Sequence, residues 1–324
     1  MYVSRHIFVR VLIAVLVAPA LTVGAQNQRS AATNALRIGL LSSLRPDTHS
    51  TSIERGVRLG ADEAKQTANL FGNDVQLYTA PAGSNVVATA RRLLSERQIQ
   101  VLIAASAADA EALSTLAEER HILFFNVASP AQSLRVACRR YTFHVDASEA
   151  MFRNATLLAR RTASPSHGPA ARTADNDSIA LWEATLERYG ASQINGRYRA
   201  KYRIGMDDGA WAGWFAVKVA SESALRARST EADKLLVYLE SPTTSFDGHK
   251  GWPLSFRTAD HQLRQPLYLV AKGGTGARHQ TSSDVPELRG AAGSGVAGPP
   301  ARLNQVLDRI IASPTAPRCQ WRRL

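Results

Sequence analysis

The chain is poor in sulfur, in acidic charge and in long apolar runs, and each shortage removes a class of function. Only two cysteines, Cys138 and Cys319, and three methionines occur in 324 residues. With no CxxC pair and no Cys/His cluster, neither a thiolate metal site nor a dithiol redox motif is encoded. The eight histidines are scattered, and HExxH does not occur, which excludes the helical zinc-hydrolase motif. GxxxxGK[ST] is absent, so there is no P-loop and no ATPase of that kind. "GAAGSGVAG" lacks a Gly-x-Ser-x-Gly elbow, and no strand pattern precedes it. Gly273-Gly274-Thr275-Gly276 has no flanking helix and reads as loop. No repeat of solenoid period is present. After the first 25 residues no apolar stretch is long enough to span a bilayer.

The acidic deficit is marked: 39 Lys and Arg stand against 27 Asp and Glu, a net charge of +12. Charge alone points toward nucleic acid. The N-terminus redirects that inference. "MYVSRHIFVR" carries Arg5 and Arg10, "VLIAVLVAPALTV" is a short apolar run, and Val23-Gly24-Ala25 offers a small-residue cleavage site. Residues 1–25 therefore read as a secretory signal peptide, with a mature chain beginning near Gln26. An exported protein rarely meets chromosomal DNA, so the basic balance reads as contact with anionic surfaces or as solubility. In an oxidising compartment two cysteines suggest one bridge, Cys138 to Cys319, closing a very long loop. The alternative is one buried thiol and one thiol in the tail "PTAPRCQWRRL".

From Leu36 to Ala159 strand and helix patterns alternate. "LRIGLLS" is a short apolar strand. "TSIERGVRLGADEAKQTA" has helical spacing and a Thr51-x-x-Glu54 capping box. "DVQLYTA", "QVLIAAS" and "ILFFNVAS" are further strands, with the helices "NVVATARRLLSERQI" and "ADAEALSTLAEERH" between them. Such alternation predicts right-handed βαβ units, an α/β fold with a parallel Rossmann-like sheet and helices on both faces. The Pro/Ser/Ala/Gly-rich stretch from Arg160 to Ser178 reads as a linker. Beyond it, "IALWEATLERYG" reads as a helix stopped by Gly190. "DDGAWAGWFAVKVASESALRA" is a long helix with Asp207 and Asp208 at its positive end. "STEADKLLVYLES" is a helix capped at Ser229 or Thr230. A strand or two follow before Val270, then a loose Gly/Ser/Ala-rich tract from Gly273 to Pro300, and last the amphipathic "ARLNQVLDRIIAS".

In an open parallel sheet, ligands sit outside the carboxyl ends of the strands. Those ends carry Ser42, Ser43, Ser84, Ser106 and Ser129, next to helix starts suited to a carboxylate or phosphate. Helix capping is the alternative role for each serine. His144 reads as a packed strand residue, and Trp211 and Trp214, three apart on one helix, as core. Asp260 and His261 are adjacent in sequence, and adjacent side chains usually diverge, so they do not read as a catalytic dyad. Lys250, Arg257, Arg264 and Gln265, in the polar run "DGHKGWPLSFRTADHQLRQPLYL", read as ties for strand ends and lobe contacts.

Three first-half stretches, "GVRLGADEA", "VLIAASAADAEALSTLAEERHILFFNVAS" and "CRRYTFHVDAS", resemble type I periplasmic binding proteins of the Leu/Ile/Val-binding kind. "ERYGASQINGRY", "DDGAWAGWFAVKVASESALR" and "DGHKGWPLSFRTADHQLRQPLYL", with "QLRQP" at Gln262–Pro266, resemble a branch of that superfamily. It is the ABC-type substrate-binding protein associated with PQQ-dependent alcohol dehydrogenase systems. Together the resemblance spans about 36–159 and 180–270. It implies a periplasmic-binding-protein-like I fold: a signal peptide at 1–25, an N-terminal α/β lobe at 26–159 and a linker at 160–178. A reduced C-terminal region at 179–272 and a loose tract, helix and tail at 273–324 follow. The second lobe is reduced because only the linker stands where the family has further strands. Ala259 replaces the family's Trp. The implied ligand positions are Ser106, Ala107, Ala128 and Ser129, with Pro130 where a threonine would serve and lacking both hydroxyl and N–H; Ser42 joins them as a ligand candidate from its place at a strand end. The implied function is non-enzymatic: capture of a small-molecule solute for an ABC permease in the periplasm, without cofactor, nucleic acid or a membrane span. The alternative is a non-binding periplasmic partner of an oxidoreductase, the quinoprotein dehydrogenase system.

Overall fold

A computed structural model describes residues 35–162, 178–270, 282–284 and 319–321, with 304–305, 307–308 and 311. The signal-peptide segment, Gly273–Gly276, most of the 160–178 linker and most of the tract after Ala271 lie outside these residues.

The alternating half folds as its periodicity requires. Strands β1 (Ala35–Ser42), β2 (Asp74–Pro81), β3 (Val101–Ala104), β4 (Leu123–Asn126) and β5 (Thr142–His144) form one parallel sheet in the order β2-β1-β3-β4-β5. The connecting helices are α1 (Thr48–Leu70), α2 (Val86–Arg97), α3 (Ala110–Arg120) and the short α4 (Gln132–Val136). Alternate strand residues feed two separate cores. Val101, Ile103, Leu123 and Phe125 join one cluster, whereas Leu102, Ala104 and Phe124 join the other. That division follows from the two-residue period of a strand with helices on both faces.

α1 starts earlier than the sequence suggests. Its cap is Asp47, whose Oδ1 accepts from the Ser50 N–H (2.7 Å) while Ser50 Oγ accepts from the Asp47 N–H (2.8 Å). Thr51 and Glu54 lie inside the helix, so the expected box is displaced by one turn. α5 (Glu149–Thr162) carries the helix past Ala159 into the expected linker.

The second half holds the largest departures. "IALWEATLERYG" is not a helix: β6 (Ser178–Ala180) opens it and a 3-10 turn, Arg188–Gly190, closes it. Trp182 fixes this segment, donating its N–H to Asp208 (2.7 Å) and its ring N–H to Asn195 (2.9 Å). Gly190, at φ 84°, starts α6 (Ala191–Tyr202) where the sequence suggests a stop. α7 (Asp208–Ala227) is capped by Asp207, which also accepts from Ser52 of α1. α8 (Ala232–Glu240) has Glu231 at its cap position with no side-chain cap bond, in place of the expected Ser229 or Thr230. Four short strands follow: β7 (Phe246–Asp247), β8 (Pro253–Phe256), β9 (Leu263–Arg264) and β10 (Tyr268–Val270). β11 (Ser282–Asp284), inside the tract expected to be loose, pairs antiparallel with β10. Both remaining sheets, β11-β10-β6 and β7-β8-β9, are three-stranded and antiparallel.

α7 is buried nearly all round, with Trp211 and Trp214 in the core as the sequence indicates. It packs on α1 through glycines. An ideal Cβ on Gly56 would overlap the Ala210 carbonyl, and one on Gly213 would sit 2.5 Å from the Ile53 carbonyl. Only hydrogen at both positions lets the two helix backbones come this close.

Cys138 and Cys319 form a disulfide across 181 residues. Around it the Cys319 N–H donates to Ala259 O (2.8 Å) and Trp321 stacks on His261 at 4.9 Å. Replacing either cysteine with serine is expected to lower unfolding stability by about 2–5 kcal/mol, the usual effect of removing a native bridge. Urea melts with and without reductant measure it. The serine variants should be insensitive to reductant and the native chain sensitive.

Candidate functional site

The order β2-β1-β3 places a topological switch point between β1 and β3, because the chain leaves β1 for one side and returns on the other. A crevice outside the carboxyl ends of these two strands is the ligand position in such sheets. Leu41 lies opposite Ala104 and the Ala105 N–H donates to Leu41 O (2.9 Å), so Ser42 leaves β1 beside Ala105, and Ser106 follows one residue further on. Both are half-buried, and Ala107 beyond Ser106 is exposed. Burial pushes the carboxyl of Asp109 up, opposed by a hydrogen bond from Ser106. Ser43 Oγ donates to the Arg45 carbonyl (3.0 Å), shaping the β1 loop, and Ser84 stands exposed after β2.

Ala128 and Ser129 do not join this group. They are 4% and 5% exposed. Asn126 clamps them: its Oδ1 accepts from the N–H groups of Ala128 (3.4 Å) and Ser129 (3.0 Å), while its Nδ2 donates to Ser129 O (2.8 Å). Ser129 Oγ accepts from the Ala131 N–H (3.4 Å), a local turn contact. Of the five candidate ligand positions, Ser42, Ser106 and Ala107 stay accessible at the strand ends.

Beside β5 lies a buried polar network that joins Arg135 to the "QLRQP" stretch. The Arg135 guanidinium donates to the carbonyls of Ser129 (2.7 Å), Ala131 (2.9 Å) and Asp146 (2.9 Å) and to Gln262 Oε1 (3.1 Å). Burial pulls it down to about 10, with Asp146, Asp260 and Glu149 opposing, so it remains a cation at neutral pH. Gln262 Nε2 donates to His144 O (3.2 Å) and Asp146 O (2.9 Å), and Gln265 Nε2 to Val145 O (2.7 Å). The two glutamines of "QLRQP" thus close the edge of β5, where His144 and Gln262 form an isolated parallel bridge.

The remaining polar residues of that run are structural. Lys250, 1% exposed, donates to Leu181 O (2.7 Å), Gln265 Oε1 (2.8 Å) and Pro266 O (3.3 Å), with its ammonium 3.8 Å from the Trp211 ring centroid. Arg257 pairs with Asp260, and Arg264 with Asp308 (2.8 Å). His261 stacks on Phe143 at 4.3 Å, and its Nε2 lies 3.2 Å from Glu240 Oε1. Asp260 and His261 therefore face different partners. His144 is packed against Asn126 (3.2 Å), and burial holds it well below the ordinary histidine range. One signal in the sequence does hint at the network: Asn126 is a lone amide in the apolar run "ILFFNVAS", and a buried amide must find partners.

Two carboxyls give opposite pH dependences. Burial pushes Asp146 up to about 7. Its contribution to stability is full below about 4, the value in the unfolded chain, and falls as pH rises toward 7, because the folded state resists ionisation. Glu240 is held down at about 2 by hydrogen bonds from His261 and Arg140, which outweigh its desolvation. Its contribution is full above about 4.5 and falls as pH drops toward 2. Stability measured by urea midpoints is expected to decline on both sides of pH 4–5. Asp146→Asn should flatten the limb between pH 4 and 7 and leave the acid limb in place.

Residues 35–164, the stretch that builds the parallel sheet, match the family model described as periplasmic binding protein. No curated protein sequence matches the chain. A periplasmic binding protein from Burkholderia mallei superposes with a TM-score of 0.66 at 12% identity, covering 88% of this chain and 98% of that one. A branched-chain amino acid ABC transporter periplasmic ligand-binding protein from Burkholderia xenovorans gives 0.63 at 12%, over 77% and 94%. A solute-binding protein from R. palustris in complex with benzoate gives 0.59 at 15%, over 77% and 95%. The fold is therefore that of type I periplasmic binding proteins. Among the described residues, no helix is long and apolar enough to cross a membrane.

Proposed function

We propose that the chain is an exported solute-binding protein of an ABC-type uptake system. It receives a small molecule at the crevice beside Ser42, Ser106 and Ala107 and passes it on unchanged. The observation that carries this reading is the switch point between β1 and β3 with small, accessible residues at both strand ends, within a binding-protein fold. The buried polar groups beside β5, Arg135, Gln262 and Gln265, are taken up in bonds to main-chain carbonyls, which supports binding over chemistry. The reading includes a reduced second lobe, supported by a single parallel sheet among the described residues and two small antiparallel ones. It also includes a link to PQQ-dependent alcohol oxidation, supported by the "QLRQP" resemblance. The cargo classes to test are amino acids, small alcohols and organic acids including benzoate, the ligand of the R. palustris protein.

A thermal-shift and calorimetric panel over these classes is expected to give saturable binding for one of them, lost in Ser106→Phe. The absence of saturable binding across the panel, or turnover of any compound, overturns the reading. The burial of Ala128 and Ser129 leaves fewer donors at the crevice and favours one alternative, a partner of an oxidoreductase that holds no solute. Capture of a quinoprotein dehydrogenase by a chain silent in the panel would establish it.

A further inference from the structure

A cavity of about 700 Å³ opens at the amino end of the sheet, away from the crevice. It lies between the α1–β2 connection and the last turn of α7 with the residues leading into α8. Leu36 and Val75, near the starts of β1 and β2, form part of its wall, roughly 20 Å along β1 from Ser42 at 3.3 Å per residue. Its volume is in the range of small-molecule sites.

The chemistry of the lining is asymmetric. Leu36, Ala68, Phe71, Val75, Ala224 and Leu225 give an apolar wall, and Phe71 is 68% exposed although it is aromatic. Two acids contribute to the lining: one is ion-paired, and the other keeps one carboxylate oxygen buried without a hydrogen-bond partner. Glu222 pairs with Lys218, and Asp74 accepts from Gln76 through Oδ2 (2.8 Å) while its Oδ1 is shielded from solvent. Two cations contribute as well, Arg226 and Arg228, both exposed, and neither side chain has an ion-pair or hydrogen-bond partner among the described residues. Both guanidiniums bring positive charge to the lining. Arginine is also suited to take a carboxylate through two parallel bonds.

We propose that this cavity is a second ligand site, separate from the solute crevice, for a small amphipathic carboxylate. Its head pairs with the guanidinium of Arg226 or Arg228, and its apolar body lies on Phe71, Val75 and Leu225. The site does not depend on the solute-binding reading. A ligand here occupies the opposite edge of the sheet and reports on the body of the fold rather than on the crevice.

Octanoate is the probe, with 1-octanol and octylamine as charge controls, measured by calorimetry on the full chain. Saturable octanoate binding at least tenfold tighter than either control is expected. The double variant Arg226→Gln, Arg228→Gln should weaken it at least tenfold while the unfolding midpoint stays within about 2 °C, as both side chains are exposed and exposed substitutions change stability little. Phe71→Ser should weaken octanoate and octanol together. Ser106→Phe, in the crevice, should leave octanoate affinity unchanged. Octanol binding as well as octanoate, no saturable binding, or loss of octanoate in Ser106→Phe alone would each overturn the second site. The last result would place the carboxylate in the crevice and support the solute-binding reading instead.

Discussion

Gly56→Ala is expected to destabilise the protein by about 3 kcal/mol or more, against the direction of helix propensity. Alanine in a helix interior is favoured over glycine by about 1 kcal/mol, so a solvent-facing position would gain from the change. At Gly56 the added carbon would overlap the Ala210 carbonyl of α7. A backbone carbonyl cannot rotate away as a side chain would, and overpacking of this kind costs about 1–3 kcal/mol and sometimes more. The contact joins the first helix of the sheet layer to the helix that buries Trp211, Trp214 and Phe215. Separating α1 from α7 therefore loosens the core on that face of the sheet. Gly196→Ala is the control. It lies mid-helix in α6, where an added methyl group would meet nothing within 4 Å, and should stabilise by roughly 0.5–1 kcal/mol. Urea unfolding of both variants gives the comparison. Equal effects of the same sign would show that α1 and α7 approach each other less closely than the Gly56–Ala210 contact requires.

Lys250→Met is expected to cost about 3 kcal/mol, the scale for removing one member of a buried charged arrangement. Methionine matches the length and the apolar contact with Trp211. It leaves Leu181 O, Gln265 Oε1 and Pro266 O without their shared donor and removes the cation that favours ionised Asp208. Each buried acceptor left unpaired costs on the order of 1–3 kcal/mol before relaxation. Gln265→Leu in the same background should add less than it does alone, because both residues belong to one network. Lys250→Arg should not rescue, since a planar fork cannot direct one nitrogen at three oxygens as an ammonium does. A stability within about 1 kcal/mol of native for Lys250→Met, the usual net worth of a single hydrogen bond, would mean that these bonds contribute little.

The alternating half is legible because its strands and helices announce themselves locally. "VLIAA" and "ILFFN" have strand length and apolar content, and the helices between them carry their period in full view. Even there α1 begins a turn before the apparent box, since Asp47 and Ser50 cap as well as Thr51 and Glu54 would on paper. "IALWEATLERYG" misleads because its helical spacing is real. Its burial is decided elsewhere: Trp182 is held by Asp208 and Asn195, and residues 178–180 join β10, distant in the chain. Ser42 and Ser106 are legible as strand-end residues, but the burial of Ala128 and Ser129 is not. It depends on the Asn126 clamp and on Arg135, whose partners include Gln262, far along the chain. Long-range polar pairing leaves no periodic trace in a sequence.

The cross-link between the turn that leads into β5 and the chain's end has a consequence for biogenesis. A thiol at position 138 must stay unpaired while 181 further residues are delivered before its partner at 319 exists. The sheet can assemble in that interval, yet the ring of Trp321 reaches His261 only once the far end is tied in. The cover over that histidine is thus tethered by a bond that the sheet does not need, and a reducing environment is expected to leave the strands in place and this cover untethered.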